Sequence, residues 1–178
     1  MRAALLIVCA LVLGSQASAA VFHSRESALN AAFPDADNVV PQPLYLSEDD
    51  AAYITAQTGM TMEERLVTAY VAKRGPTILG YGFIDTHRVR TLDETLLIIV
   101  SPDAQILSTL TLAFHEPPEY QANERWMRAF RGRSLDAELA VGSRVDSISG
   151  ASMTARAATA AHRRALALFT RKLAAPTP

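Results

Sequence analysis

The stretch that most clearly indicates the fold is "ETLLIIVSPDAQILSTLTLAF", residues 94–114. Its two halves, ETLLIIVS and QILSTLTLAF, are rich in Leu, Ile, Val and Thr, which suit β-strands. Between them lies Ser101-Pro102-Asp103-Ala104, a typical turn sequence. The stretch therefore predicts two strands joined as a hairpin.

Two more runs of the same texture come before the hairpin. They are "RLVTAYVAK", residues 65–73, and "TILGYGFID", residues 77–85, and Arg74-Gly75-Pro76 marks a turn between them. We therefore predict about four strands between Arg65 and Phe114.

Helical patterns flank these strands on both sides. "SRESALNAAF" (residues 24–33) is ended by Pro34, and "LSEDDAAYITAQTG" (46–59) has Ser47 as N-cap and Gly59 just past its end. "NERWMRAFRG" predicts a short helix ending near Gly132, and an irregular link over residues 136–146 leads to a last helix. The predicted fold class is α+β: an antiparallel sheet of about four or more strands, flanked by N-terminal and C-terminal helices.

Residues 1–19 have the features of a secretory signal peptide. Arg2 precedes an apolar run from Ala3 to Leu13, and Ala17-Ser18-Ala19 has the small-x-small form of a cleavage site. We expect cleavage after Ala19 and a single exported domain over residues 20–178, with an uncleaved anchor as the alternative. Cys9 would leave with the signal peptide, so we expect no disulfide, thiol nucleophile or cysteine-ligated metal.

The charge balance and the motifs of the chain argue against several classes of function. The chain has 17 basic and 18 acidic residues, a net charge of −1, which gives no electrostatic case for nucleic acid. Its four histidines lack metal-ligand spacing, and GxSxG, HExxH, P-loop and GxGxxG motifs are absent. We predict no catalytic residue and no metal site.

The last helix opens with "DSISGASMT", residues 146–154, which is unusually rich in hydroxyl groups. Such residues cap helix N-termini, and one cap would be enough. A helix N-terminus also offers N–H groups and partial positive charge to a phosphate, and Gly150 would let the backbone approach it. The residues alone leave both interpretations open.

This stretch resembles the covalent flavin-attachment motif of the FMN-binding domain family. In order, the matching residues are Asp146, Ser149, Gly150, Ala151, Ser152 and Thr154. The family includes the C subunit of Na+-translocating NADH:quinone reductase, the G subunit of the Rnf complex and stand-alone exported domains. The resemblance implies that Thr154 carries FMN through a phosphoester and that the other five residues are recognised by a flavin transferase, which takes FMN from FAD with a divalent metal.

Weaker similarities to the family occur in the expected order along the chain. They are Phe33-Pro34, Gly80-Tyr81-Gly82 and "HEPPEYQ" (115–121), which keeps Glu116 and a proline of the family's flavin loop but not its Thr and Gly. The resemblance makes Glu116, Tyr120 and His115 the candidates for contacting the flavin. For Trp126 we favour core packing over flavin stacking, because Met127 and Phe130 share its helical pattern.

The resemblance implies an electron carrier rather than a self-sufficient enzyme. Its redox partners would be envelope proteins such as cytochromes or membrane reductases, and its location the periplasm. The alternatives are a flavin-dependent oxidoreductase with its own small substrate and a flavin-free binding module. We interpret the basic residues of the last helix as a solvated outer face or, alternatively, as a docking surface for an acidic partner; they are Arg156, Arg163, Arg164, Arg171 and Lys172.

Overall fold

A computed structural model of the chain describes residues 20–21 and 24–174, and the predicted signal peptide, Cys9 and His23 lie outside this range. The described part is a six-stranded antiparallel sheet with helices on both faces, in the spatial order β1-β6-β5-β4-β3-β2. The strands are β1 (Ala20–Val21), β2 (Asn38–Tyr45), β3 (Leu66–Arg74), β4 (Thr77–Arg88), β5 (Asp93–Val100) and β6 (Ile106–Phe114). The helices are α1 (Arg25–Ala32), α2 (Glu48–Thr58), α3 (Glu124–Met127) and α4 (Ser152–Lys172). The predicted α+β class and antiparallel sheet are confirmed.

The predicted hairpin is formed by β5 and β6. β5 pairs antiparallel with β6, with Leu97 opposite Leu110. Along β5, Leu96, Ile98 and Val100 belong to the core under α4, whereas Leu97 and Ile99 belong to a second core with α1. Because helices cover both faces, β5 has no solvent face, which explains its unbroken apolar run.

The larger core lies between the sheet, α2 and α4. Its fully buried side chains include Ile54, Phe130, Leu166 and Phe169. α2 has the predicted Ser47 cap and a left-handed Gly59 at its C-terminus, and Asp50 completes a capping box with Ser47. The Asp50 carboxylate also binds Arg171 at 2.9 Å and Lys172 at 3.1 Å, so it ties α2 to the end of α4.

The smaller core explains the Gly80-Tyr81-Gly82 sequence. A Cβ on Gly80 would lie 3.2 Å from Phe33 Cε1, and a Cβ on Gly82 would lie 3.2 Å from Leu29 Cδ2. The two glycines therefore let α1 and the residue that ends it pack closely on β4.

Two strands and part of a helix differ from the sequence-based prediction. β2 was missed because Pro41 and Pro43 argue against a strand, yet β2 is an edge strand paired only with β3, where proline is tolerated. The two-residue β1 was missed as well. The helix predicted to end near Gly132 is α3 followed by a 3-10 turn over Arg128–Phe130.

The basic residues of α4 do not form the solvated face that we predicted. Arg164 binds the buried Asp85 carboxylate at 2.9 Å, and Arg163 donates to the carbonyls of Asp136 and Leu139. Of these five basic residues, Arg156 is the one that is exposed and makes no ion pair or side-chain hydrogen bond within the described part of the chain. The helix uses its charges to attach neighbouring segments. Among residues 24–174, no helix combines the length and apolar character needed to cross a membrane.

Candidate functional site

The flavin-motif residues form the loop before α4 and its first turn. Gly150 adopts φ 78°, a left-handed conformation that glycine tolerates best. α4 begins at Ser152 with Ala151 as N-cap, and no side chain caps its N-terminus. The explanation of the hydroxyl groups as helix caps is therefore wrong for this helix.

The motif residues differ sharply in exposure. Asp146, Ser149, Gly150 and Ser152 are exposed, so another protein could contact them. Thr154 is only 1% exposed, and its hydroxyl donates a hydrogen bond of 2.7 Å to the Tyr120 carbonyl. The structure thus brings together two predicted site residues, Thr154 and Tyr120, that are 34 positions apart.

Trp126 holds the start of the motif. Its indole N–H donates to the Asp146 carbonyl at 2.8 Å, and its ring packs edge-on against Phe130 at 5.1 Å. The predicted core-packing role of Trp126 is confirmed.

Glu116 and His115, the other two predicted flavin contacts, lie at the start of the loop over residues 115–121, which also contains Tyr120. The Glu116 carboxylate accepts hydrogen bonds from the backbone N–H groups of Arg90, Thr91 and Leu92, at 3.2, 2.6 and 2.8 Å. The bonds from Leu92 and Thr91 are the main reason that the pKa of Glu116 is lowered. Glu116 therefore secures the β4–β5 turn. The His115 backbone N–H donates to the Asp93 carbonyl. The proposed ring contacts of Glu116, Tyr120 and His115 stay predictions.

A groove of about 760 Å³ lies beside the loop over residues 115–121. One wall is β6, over residues 107–111, and the other comes from the segment between Pro118 and Arg131. Pro118 and Gln121, which flank the partner of Thr154, both line it. Its lining includes two cationic residues and one acidic residue, Arg128, Arg131 and Glu124, and Glu124 binds Arg128 at 3.3 Å. Its apolar lining residues are Leu107, Leu110, Pro118, Ala122 and Met127. Sequence reasoning missed the groove because no sequence pattern shows how the segment after β6 folds back beside the edge of that strand.

The groove follows the part of the β6 edge that no strand covers in the described structure. At one end of β6, Val21 of β1 lies opposite Ala113. At the other end, Ile106 exchanges backbone hydrogen bonds with Gly132 and Arg133, of 2.8 and 2.9 Å. The edge between these two pairings is therefore open to a ligand.

A cluster of buried charges lies under α4 and was not predicted. His87 contacts Asp85 through Nδ1 at 2.9 Å and Glu94 through Nε2 at 3.1 Å, and Asp85 also binds Arg164. Burial disfavours the charged imidazolium, but the two carboxylates outweigh it and raise the pKa of His87 to about 9. One sequence signal was available: Asp85 and His87 are charged or polar residues two positions apart in an apolar strand, and so share its inner face. Among the described residues, no group of His, Cys, Asp and Glu is placed to hold a metal ion.

Comparison with known proteins identifies the family. No family model matches the chain. The chain is 30% identical over 162 residues to the G subunit of the ion-translocating oxidoreductase complex of Cereibacter sphaeroides, and the alignment covers 79% of this chain and 69% of that relative. The order of the motif, the antiparallel α+β fold and this similarity agree: the chain belongs to the FMN-binding domain family, which includes this relative.

Proposed function

We propose that this protein is an exported electron carrier that holds FMN covalently on Thr154, through a phosphoester to the threonine oxygen. The observation that carries the proposal is the position of Thr154. It stands in the first turn of α4 within the matching motif, and its hydroxyl contacts the loop that lines the groove. The family relationship supports a flavin-binding, electron-transfer role.

The groove fits a flavin in size and chemistry. Ligand sites typically enclose about 300–1,000 Å³ and combine apolar walls with a few polar groups, and the groove of about 760 Å³ has this composition. Leu107 and Met127 offer apolar contacts to a ring system, and Arg131 offers positive charge, whereas Arg128 is paired with Glu124 at 3.3 Å. FMN, when bound, supplies the redox chemistry, so the protein need only attach and orient it.

The buried hydroxyl imposes a condition on attachment. At 1% exposure, Thr154 is closed to a transferase in this conformation. The residue that accepts its hydrogen bond, Tyr120, ends a 3-10 turn, Pro118–Tyr120, which is held by local hydrogen bonds from Tyr120 to Pro117 and from Gln121 to Pro118. Attachment therefore requires this short turn to move away while the exposed motif residues bind the transferase.

The partners of the carrier follow from the same proposal. For maturation it would meet an FAD-dependent flavin transferase that uses a divalent metal, and in function it would meet envelope redox proteins such as cytochromes or membrane reductases. Met153, next to Thr154, is 49% exposed and adds an apolar contact point beside the attachment site. We place the protein in the periplasm, because of the predicted signal peptide and the setting that the family resemblance implies.

Intact mass of exported protein, co-expressed with a flavin transferase, tests the proposal. We expect a gain of roughly 440 Da, one FMN less water, in the wild type and none in Thr154→Ala. Ser147→Ala is a matched control, because it removes an exposed hydroxyl from the same stretch, at a position outside the matching motif residues, and keeps Thr154. A wild type without added mass, or a gain that persists in Thr154→Ala, would overturn the assignment.

A flavin-free binding module is the second candidate, and one observation favours it. The Thr154 hydroxyl already has a structural partner, the Tyr120 carbonyl, as an ordinary buried threonine would. Under this candidate the protein recovered from a host with an active transferase is colourless and unmodified.

A further inference from the structure

One wall of the groove contains a hydroxyl group, that of Thr109, and its neighbours determine whether it can donate or accept a hydrogen bond. Thr109 lies on β6 and lines the groove. Its hydroxyl oxygen is 2.8 Å from Nε2 of His162, a fully buried residue of α4. The two residues are 53 positions apart, so the chain sequence does not suggest the pair.

The tautomer of His162 follows from its other contact. Nδ1 lies 2.6 Å from the Ala158 carbonyl oxygen, which can only accept, so Nδ1 carries a hydrogen. Burial lowers the pKa of His162 to about 4, so the ring is neutral at neutral pH. Nε2 is therefore a bare acceptor, and its ring is held by parallel stacking on Phe130 at 3.7 Å.

The orientation of the Thr109 hydroxyl follows in turn. Because Nε2 can only accept, the Thr109 O–H must donate to it. Its single proton is then engaged, and the oxygen has only lone pairs left for the groove. Thr109 can accept a hydrogen bond from a ligand but cannot donate one.

Asn123 supplies the opposite polarity in the same groove. Its side-chain oxygen accepts the Trp126 backbone N–H at 2.9 Å. Asn123 lines the groove, and its side-chain NH2 group is left to donate a hydrogen bond to a ligand. The groove thus offers an acceptor at Thr109 and a donor at Asn123, the two polarities that a ligand with both an N–H group and a carbonyl requires.

We propose that Thr109 is a ligand-binding residue that accepts a hydrogen bond from N3–H of the flavin ring, while Asn123 donates to a neighbouring ring carbonyl. This inference rests on the proposed function only for the identity of the ligand. N3–H is the single N–H group of the oxidised isoalloxazine ring and has a carbonyl on each side, so it matches the groove. His162 is a positioning residue, because it acts through Thr109.

The test uses two ring ligands that differ at this group. Lumiflavin has N3–H, and 3-methyllumiflavin lacks it. Binding to the unmodified full chain is measured by quenching of ligand fluorescence, so neither FMN attachment nor electron transfer is needed. The wild type is expected to bind lumiflavin about five- to tenfold more tightly than the methylated ring, the effect of one neutral hydrogen bond.

The variants separate hydrogen bonding from fit. Thr109→Val has the shape of threonine without the oxygen and is expected to reduce the preference for lumiflavin to less than about twofold. Thr109→Ser keeps the hydroxyl and is expected to keep the preference. A wild-type preference that survives in Thr109→Val would overturn the proposal, as would wild-type protein that shows no preference or does not bind lumiflavin.

The outcome is independent of the covalent attachment. A mass gain on Thr154 without ligand preference would leave the proposed function standing and remove the role of Thr109. A preference for lumiflavin without a mass gain would support the role of Thr109 and overturn the covalent attachment to Thr154. If circular dichroism shows that Thr109→Val does not fold, Thr109→Ala, which also lacks the oxygen, takes its place: a preference for lumiflavin that survives in Thr109→Ala overturns the proposal.

Discussion

At the scale of single residues, Thr154 combines a structural hydrogen bond with the proposed attachment chemistry. Its hydroxyl donates to the Tyr120 carbonyl. An ester oxygen has no proton to donate, so an attached flavin would leave that carbonyl without this partner. The 3-10 turn Pro118–Tyr120 is therefore expected to be less firmly held in the flavinylated protein than in the unmodified one.

The structural part of this role is testable in the unmodified protein. We expect Thr154→Val to lower the free energy of unfolding by about 1 kcal/mol, because it removes the donor but keeps the side-chain shape. The melting temperature would fall by roughly 2–4 °C, measured by circular dichroism. Thr154→Ser keeps the hydroxyl and should lie closer to wild type. A valine variant as stable as wild type would show that the bond contributes little.

At the scale of secondary-structure elements, the packing of α1 on β4 depends on two glycines that differ in their neighbours. A Cβ at Gly80 would lie 3.1 Å from the Val100 carbonyl oxygen, a backbone atom of the adjacent strand. A Cβ at Gly82 would meet side-chain ends instead, Leu29 Cδ2 at 3.2 Å and Leu97 Cδ1 at 3.3 Å. The methyl groups of leucine can shift, whereas the backbone of a hydrogen-bonded strand moves less readily.

We therefore expect Gly80→Ala to cost about 1–3 kcal/mol of unfolding free energy. Gly82→Ala is the matched control and should cost less. Urea denaturation of both variants measures the difference as a lower midpoint with an unchanged slope. If Gly82→Ala proved the more damaging, the backbone contact at Gly80 would not be the dominant constraint.

At the scale of the whole molecule, the cluster of Asp85, His87, Glu94 and Arg164 joins β4, β5 and α4 and makes stability depend on pH. The pKa of His87 is about 9 in the folded protein, against an ordinary value of 6.5. The folded state therefore keeps a proton that the unfolded chain releases. Its stabilising effect is complete below about pH 6.5 and is lost as the pH rises through about 9.

We expect the melting temperature to fall between about pH 6.5 and about pH 9, with a loss on the order of 3 kcal/mol at the alkaline end. His87→Gln should be less stable than wild type at the acidic end and much less dependent on pH across this range. His162, a second buried histidine, does not titrate there, because burial lowers its pKa to about 4. A flat wild-type profile would show that His87 is not protonated in the fold.

The sequence predicted best the features that depend on neighbouring residues. The Ser47 cap and the Gly59 end of α2 were predicted correctly because helix termini are satisfied within one turn. The alternation of turns and β-branched runs likewise predicted β3 to β6. β2 was missed because the tolerance of Pro41 and Pro43 depends on an edge position, which is a property of the assembled sheet.

The candidate site likewise has features that the sequence predicted and features that only the tertiary structure shows. By itself, the sequence determined the resemblance to the family's attachment motif and so the proposal of Thr154, since the matching residues lie within one short stretch, residues 146–154. Only the tertiary structure decided that Thr154 is buried against Tyr120, that a groove opens along β6 and that His162 orients the Thr109 hydroxyl. The physical reason is distance along the chain: hydrogen bonds and burial between residues 34 or 53 positions apart exist only once the sheet and α4 have packed together.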